Sequence, residues 1–249
     1  MSVFGRSLVL FSFLAVLFHP LSARAMHISE GVLPFNWALL WYLAVLPVLA
    51  LGIRAISRRS REDLSYKPLV GLIAALVFVI SCMPVPVPVV GTCSHPCGTG
   101  LAAVLLGPLA AAVVAGVALL IQALFLAHGG LSTWGANLFS MGVIGSLCGY
   151  GLFLLARRFG LGIASAGFLA GLAADWGTYL ATAGILASGI RGEAAFVPLW
   201  GKITLAFIPT QLPLGIIEGA LTAGMLTVLA RRRPDLLVQI GLLQREGQR

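Results

Sequence analysis

Six apolar stretches dominate the chain, at roughly 34–53, 68–90, 101–127, 134–156, 162–188 and 199–230. A helix needs about 20 apolar residues to cross a bilayer, and these stretches reach that length. Backbone inside lipid must satisfy its own hydrogen bonds, so the spans are expected to be helices. The surface argument agrees. Charged residues are 10% of the chain, against about 25% in soluble domains. With 59% apolar residues, too few polar groups remain to cover a water-facing exterior. The fold class expected is an all-α, polytopic membrane protein. Disordered, coiled-coil and soluble secreted chains are excluded on the same grounds.

The formal charge of +8, from 16 basic and 8 acidic residues, is read as a record of topology. No basic patch is interleaved with aromatics, so nucleic acid is not an expected partner. Residues 1–25 have the form of a secretory signal, with Arg6 in a short positive region and an apolar core from Leu8 to Phe18. His19-Pro20 ends that core, and Ala23-Arg24-Ala25 has the small-x-small pattern that signal peptidase accepts. The competing reading is an uncleaved anchor. Cleavage after Ala25 would give Met26 a free amine on the outer side. The chain then divides into a signal (1–25), a transmembrane domain (26–233) and a cytoplasmic tail (234–249).

Charge parity counts the spans. With the mature N-terminus out, Arg54, Arg58, Arg59, Arg61 and Lys67 fall inside after the first span. Gly107-Pro108 interrupts the third stretch, and Pro can end a helix. If 101–127 is a short helix (101–107) followed by a full one (108–127), Arg157-Arg158 and Arg231-Arg232-Arg233 also fall inside, as the positive-inside rule favours. Seven residues rise only about 10 Å as a helix, so the short one must be packed among its neighbours. Seven helices are expected, N-terminus out and C-terminus in, and 234–249 reads as an amphipathic surface helix. Gly167-x-x-x-Gly171 and Gly215-x-x-x-Gly219 mark close packing between helices.

On this topology His27, His95 and His128 all lie at the outer face. Three there, in a chain so poor in polar residues, favour a metal site over isolated packing roles. The Met26 amine and the His27 amide nitrogen can close a five-membered chelate ring. The amide nitrogen and the imidazole Nδ1 close a six-membered one. His95 could add a fourth nitrogen, and an all-nitrogen set suits Co(II), Ni(II) or Cu(II) better than Mg or Ca. Cys93 and Cys97 flank His95 but match no usual zinc spacing. They could form a disulfide, and all four cysteines are read as non-ligands, Cys93 with the least support. Asp175 and Glu218 are the ionisable groups expected inside the membrane, where burial with an interhelical partner and a functional role are both open. No nucleotide-binding or hydrolase motif is present.

The segments Met26–Pro34, Gly91–Gly100, Gln122–Gly142 and Gln211–Gly219 resemble the cobalt/nickel substrate-binding M subunit of energy-coupling factor transporters. The resemblance runs from Met26 to about Arg233. It implies a metal held by the Met26 amine, the His27 amide and imidazole, and His95. Glu30, Ser94, His128 and Asn137 are candidate supporting residues, because ligating imidazoles usually bond a second partner. It also implies partners: a transmembrane coupling subunit, ATP-binding cassette subunits and a small N-type membrane subunit, in a bacterial cell membrane. Ser29-Glu30-Gly31 and Cys93 look more like the cobalt members, whereas nickel members resemble a Pro-Asp-Gly opening. Cys97 departs from the family pattern, which usually has Thr. The expected function is Co(II) capture and import for cobalamin synthesis, with cobalt as cargo and no resident cofactor. Nickel uptake is the alternative, and an intramembrane enzyme using Asp175 and Glu218 the more remote one.

Overall fold

The computed structural model describes residues 24–25, 27–83, 85–87 and 92–243, with side chains for 27–83 and 95–243. The proposed signal up to Ala23, Met26, the side chains of Cys93 and Ser94, and the last six residues of the tail lie outside the described residues. Seven long or intermediate helices follow one another: α1 (Phe35–Glu62), α2 (Tyr66–Ser81), α3 (Thr99–Leu106), α4 (Pro108–Phe125), α5 (Trp134–Arg158), α6 (Ile163–Ile190) and α7 (Phe196–Arg232). A short α8 (Pro234–Gln239) closes the described chain. Three tiny strands, β1 (Arg24–Ala25), β2 (Val85–Val87) and β3 (Thr92–Ser94), form one sheet in the order β1-β3-β2.

The chain is an integral membrane protein by the length and apolarity of α1, α4, α5 and α7. At 1.5 Å per residue, the 37 residues of α7 reach about 55 Å, well beyond a ~30 Å hydrocarbon core. The break at Gly107 occurs as charge parity required. Gly107 sits at φ 87°, and Pro108 opens α4 at a position where its missing N–H costs nothing. All eight residues of α3 are buried, so this short helix is enclosed by its neighbours. Its last carbonyl, Leu106 O, accepts from Arg59 Nη1 at 3.2 Å and from the Tyr66 hydroxyl at 3.3 Å. A cation at a helix C-terminus complements the dipole and satisfies an orphan carbonyl.

The second apolar stretch is shorter as a helix than its composition predicts. It runs to residue 90 in hydropathy, but α2 stops at Ser81. Pro84, Pro86 and Pro88 follow at every second position, and alternating prolines remove backbone donors and push the preceding residues to extended conformations. The apolar segment therefore continues as β2. The tail also differs from a free surface helix. α8 is six residues long and Leu237 is wholly buried, while Gln239 Nε2 donates to Asp63 Oδ2 at 2.6 Å.

α6 and α7 are pressed together through their small residues. A Cβ on Gly171 would lie 2.5 Å from Glu218 O, and one on Gly219 would lie 2.7 Å from Phe168 O. No side chain fits between these backbones, so the two glycine motifs serve packing within this chain. Within α5, residues Leu138–Gly145 form a π-helix, a wide turn common where helices serve a site.

Candidate metal centre

A small sheet lies beside the histidines. β1 pairs with β3 in parallel, with Arg24 opposite Thr92 and Ala25 opposite Cys93. His27 and His95 lie two residues beyond this pairing, and Gln122 and Asn137 hold His27 and Ile28 in place from the helices. The His27 and His95 ring centroids are 4.7 Å apart. His128 joins from the loop after α4, 4.9 Å from each of the other rings. One ring nitrogen from each histidine lies within 4.8 Å of the others. Expected among the supporting residues, His128 instead brings its imidazole into the same cluster. Ala127, at φ 48°, turns the chain there, and the His128 amide donates to Gln122 O at 3.2 Å.

Residues 27–33 form a strap held from α5 and the loop before it. Ile28 N donates to Asn137 Oδ1 at 2.8 Å, and Asn137 Nδ2 donates back to Ile28 O at 3.1 Å. The Thr133 hydroxyl donates to the same carbonyl at 2.5 Å. Both Glu30 carboxylate oxygens accept from Ser132 N, at 3.0 and 3.3 Å. The Ser132 hydroxyl and amide hold the Glu30 carboxyl below its ordinary pKa. Gly129 and Gly130 make the bed on which the strap lies. Gly129 has φ +80°, and a Cβ on Gly130 would fall 2.6 Å from Glu30 N. Among the expected supporting residues, Asn137 and Glu30 thus act on the strap backbone, and the Ser94 side chain lies outside the described residues.

Hydrogen-bond direction fixes which nitrogen each imidazole offers. Ser81 Oγ donates to Phe78 O at 3.0 Å, so it accepts from Gln122 Nε2 at 2.7 Å. Gln122 therefore turns its carbonyl to His27 Nε2, 3.1 Å away. A carbonyl only accepts, so Nε2 carries the proton and Nδ1 keeps the lone pair. Nδ1 is the nitrogen that the six-membered chelate needs. At His95, Nδ1 lies 3.0 Å from Pro96 O and must donate to it, which leaves the lone pair on Nε2. Gln122 was missed in the sequence, although a signal existed: it is the only polar side chain in α4.

The histidines are neutral by environment. Burial, then the neighbouring His95 and His128, pushes the His27 pKa well down. Burial, then His128, takes His95 to about 3, and burial lowers His128. Uncharged imidazoles crowded together, two of them already bonded to fixed partners, form a nitrogen donor set for a late transition metal.

Asp175, Glu218 and Cys97 form a second cluster, all three buried, with donor atoms within 4.8 Å of one another. Glu218 Oε2 accepts from Cys97 N at 2.5 Å and Oε1 from Gly98 N at 2.9 Å. Glu218 on α7 thereby clamps the loop that carries His95, and its negative end faces the N-terminus of α3. Both its oxygens are engaged by loop amides, which favours a positioning role over general acid–base work. Cys97 carries a free thiol, so the disulfide to Cys93 is not formed.

Residues 27–236 match the family described as the cobalt uptake substrate-specific transmembrane region. The chain is 63% identical over 225 residues to a cobalt transport protein CbiM of Geobacter sulfurreducens, covering 90% of this chain and 65% of that protein. It is 56% identical over 219 residues to the CbiM of Sorangium cellulosum, covering 88% of this chain and 97% of the relative. A crystal structure of a truncated transition metal transporter superposes with a TM-score of 0.70 at 27% identity, over 83% of this chain and 99% of that one. By the extent of the family match and the identity to these relatives, the chain belongs to the cobalt uptake substrate-specific transmembrane family.

Proposed function

We propose that this protein is the substrate-capturing membrane subunit of a cobalt importer. The observation that carries the reading is the cluster of three neutral imidazoles, two of them buried and with the protonated nitrogen set by fixed hydrogen bonds. The names of the relatives, cobalt transport proteins, support cobalt as the cargo. The ligands in this reading are the Met26 amine, the His27 amide nitrogen and Nδ1, and His95 Nε2. His128 Nε2, buried with no hydrogen-bond partner, is available as a further donor. Nickel is the alternative cargo of the same nitrogen set.

The Met26 amine enters only if the chain is cut after Ala25. The described side-chain bonds that hold the strap engage His27 and later residues, all of which remain after a cut at Ala25. The N-terminus faces out and the basic loops face in, in a bacterial cell membrane. The protein binds metal by itself and depends for import on an energy-coupling factor assembly: a coupling subunit, ATP-binding cassette subunits and a small N-type subunit. The imported cobalt feeds cobalamin synthesis.

The test is equilibrium binding of cobalt and nickel to purified protein, with the intact mass measured on the same sample. Expected are a chain starting at Met26, tighter binding of cobalt than nickel, and loss of binding in His27→Ala and His95→Ala. Functional protein that retains residues 1–25, or a His95→Ala isotherm that overlays wild type, defeats the proposed chelate.

A further inference from the structure

The cluster of Cys97, Asp175 and Glu218 has work to do beyond clamping a loop. Asp175 comes from the middle of α6, Glu218 from the middle of α7, and Cys97 from the turn that enters α3. Asp175 is wholly buried, and neither of its carboxylate oxygens has a hydrogen-bond partner. A buried polar group in that state is costly and calls for an occupant. The ion pairs among the described residues, Arg58–Glu62 and Arg233–Asp235, are on exposed surface, and neither supplies a cation here. Each Glu218 oxygen accepts one amide and keeps a second lone pair.

We propose that Cys97 Sγ, Asp175 and Glu218 form a second site for a divalent transition-metal cation. One sulfur and two carboxylates suit a borderline ion such as Co(II) or Zn(II). Donors bound at about 2.0–2.3 Å around a tetrahedral ion lie about 3.5 Å apart. The observed spacing, within 4.8 Å, therefore closes on an ion by movements of about an ångström. A 2+ ion with a thiolate and two carboxylates carries a net charge of −1 in place of −3, and the Cys97 and Gly98 amides at the N-terminus of α3 stabilise the remainder. Cys97 is only two residues from His95, so the second site adjoins the first. The proposal stands whether or not the histidine cluster is the cobalt capture site.

The experiment uses the full chain in detergent, carrying Cys93→Ser so that the other loop thiol is absent. Cobalt is titrated into this protein and into a further variant with His27→Ala and His128→Ala, which removes donors from the outer cluster. Bound cobalt is counted by elemental analysis and its absorption spectrum recorded. The outer-site variant is expected to keep one cobalt per chain, with a thiolate-to-cobalt charge-transfer band in the near ultraviolet. Cys97→Ser should abolish the band, and the near-isosteric Asp175→Asn should abolish the bound cobalt while the helices stay folded by circular dichroism. An outer-site variant that binds no cobalt, or a band indifferent to Cys97→Ser, overturns the proposal.

Discussion

Replacing Gln122 by Leu isolates the step that prepares His27 for metal. Leu fills similar volume in α4 but removes the acceptor 3.1 Å from His27 Nε2 and the donor 2.7 Å from Ser81 Oγ. The His27 N–H is then left buried without a partner, at a cost of about 1–3 kcal/mol. The imidazole can relieve it by moving its proton to Nδ1, which hides the lone pair the chelate uses. The metal must reverse that change to bind, so the cost reappears in affinity. At about 1.4 kcal/mol per decade, the cobalt Kd should rise about 10–100-fold, in line with the loss of an imidazole's second partner in other metal sites. Gln122→Glu keeps an acceptor and should lie much closer to wild type. The assay is competition for cobalt against a chromophoric chelator, paired with nitrogen-15 NMR of labelled histidine in the metal-free protein. An unchanged Kd in Gln122→Leu, or a His27 proton on Nδ1 in wild type, refutes the reasoning.

The pH dependence of binding follows from the lowered imidazole pKa values. A histidine with a depressed folded pKa stays neutral down to that pKa, so its stability contribution is complete above ~6.5 and is lost as pH falls towards the folded value, about 3 for His95. Between about pH 8 and 5.5 the proton competition therefore comes from the amine, of reference pKa about 7.7–8.0, and the amide. Calorimetry in buffers of differing ionisation enthalpy should find one to two protons released per cobalt, and three or more would mean charged imidazoles in the free protein. Asn137→Ala removes both bonds to Ile28 and strands a buried N–H, about 2–3 kcal/mol, so cobalt affinity should fall about 30–100-fold by the same conversion; Thr133→Ser, which keeps the hydroxyl, should change little. Gly171→Val forces α6 from α7 at the Glu218 carbonyl and should destabilise by about 1–3 kcal/mol or more, read as earlier loss of monodispersity on heating in detergent; an unchanged profile would contradict the close backbone contact.

The helices were legible because lipid makes a simple demand, long apolar runs with basic ends, and the Gly107 break was legible because charge parity required it. The end of α2 was not, since hydropathy is blind to the alternating prolines after Met83. At the site, the histidines and Asn137 could be picked out as rare polar groups at one face. The equal standing of His128 with the other two could not, because it depends on a turn at Ala127 that no local pattern announces. Gln122 and Ser81 were visible as polar residues in apolar helices, but only their mutual bond directions reveal a tautomer. The readings that rest on Met26 lie beyond the described backbone.

The enclosure of α3 bears on how such a protein is assembled. An eight-residue helix with every residue buried gains nothing from lipid and cannot enter the bilayer by itself. Its wall is built by later parts of the chain: a Cβ on Gly100 would meet Ala170 O at 2.8 Å, and the loop before it is tied to Glu218 on α7. α7 is synthesised roughly a hundred residues after α3. The short helix must therefore wait for its wall until the last span arrives. The loop bearing His95 settles at the close of insertion, and a nascent chain is blind to metal until its final helix is in the membrane.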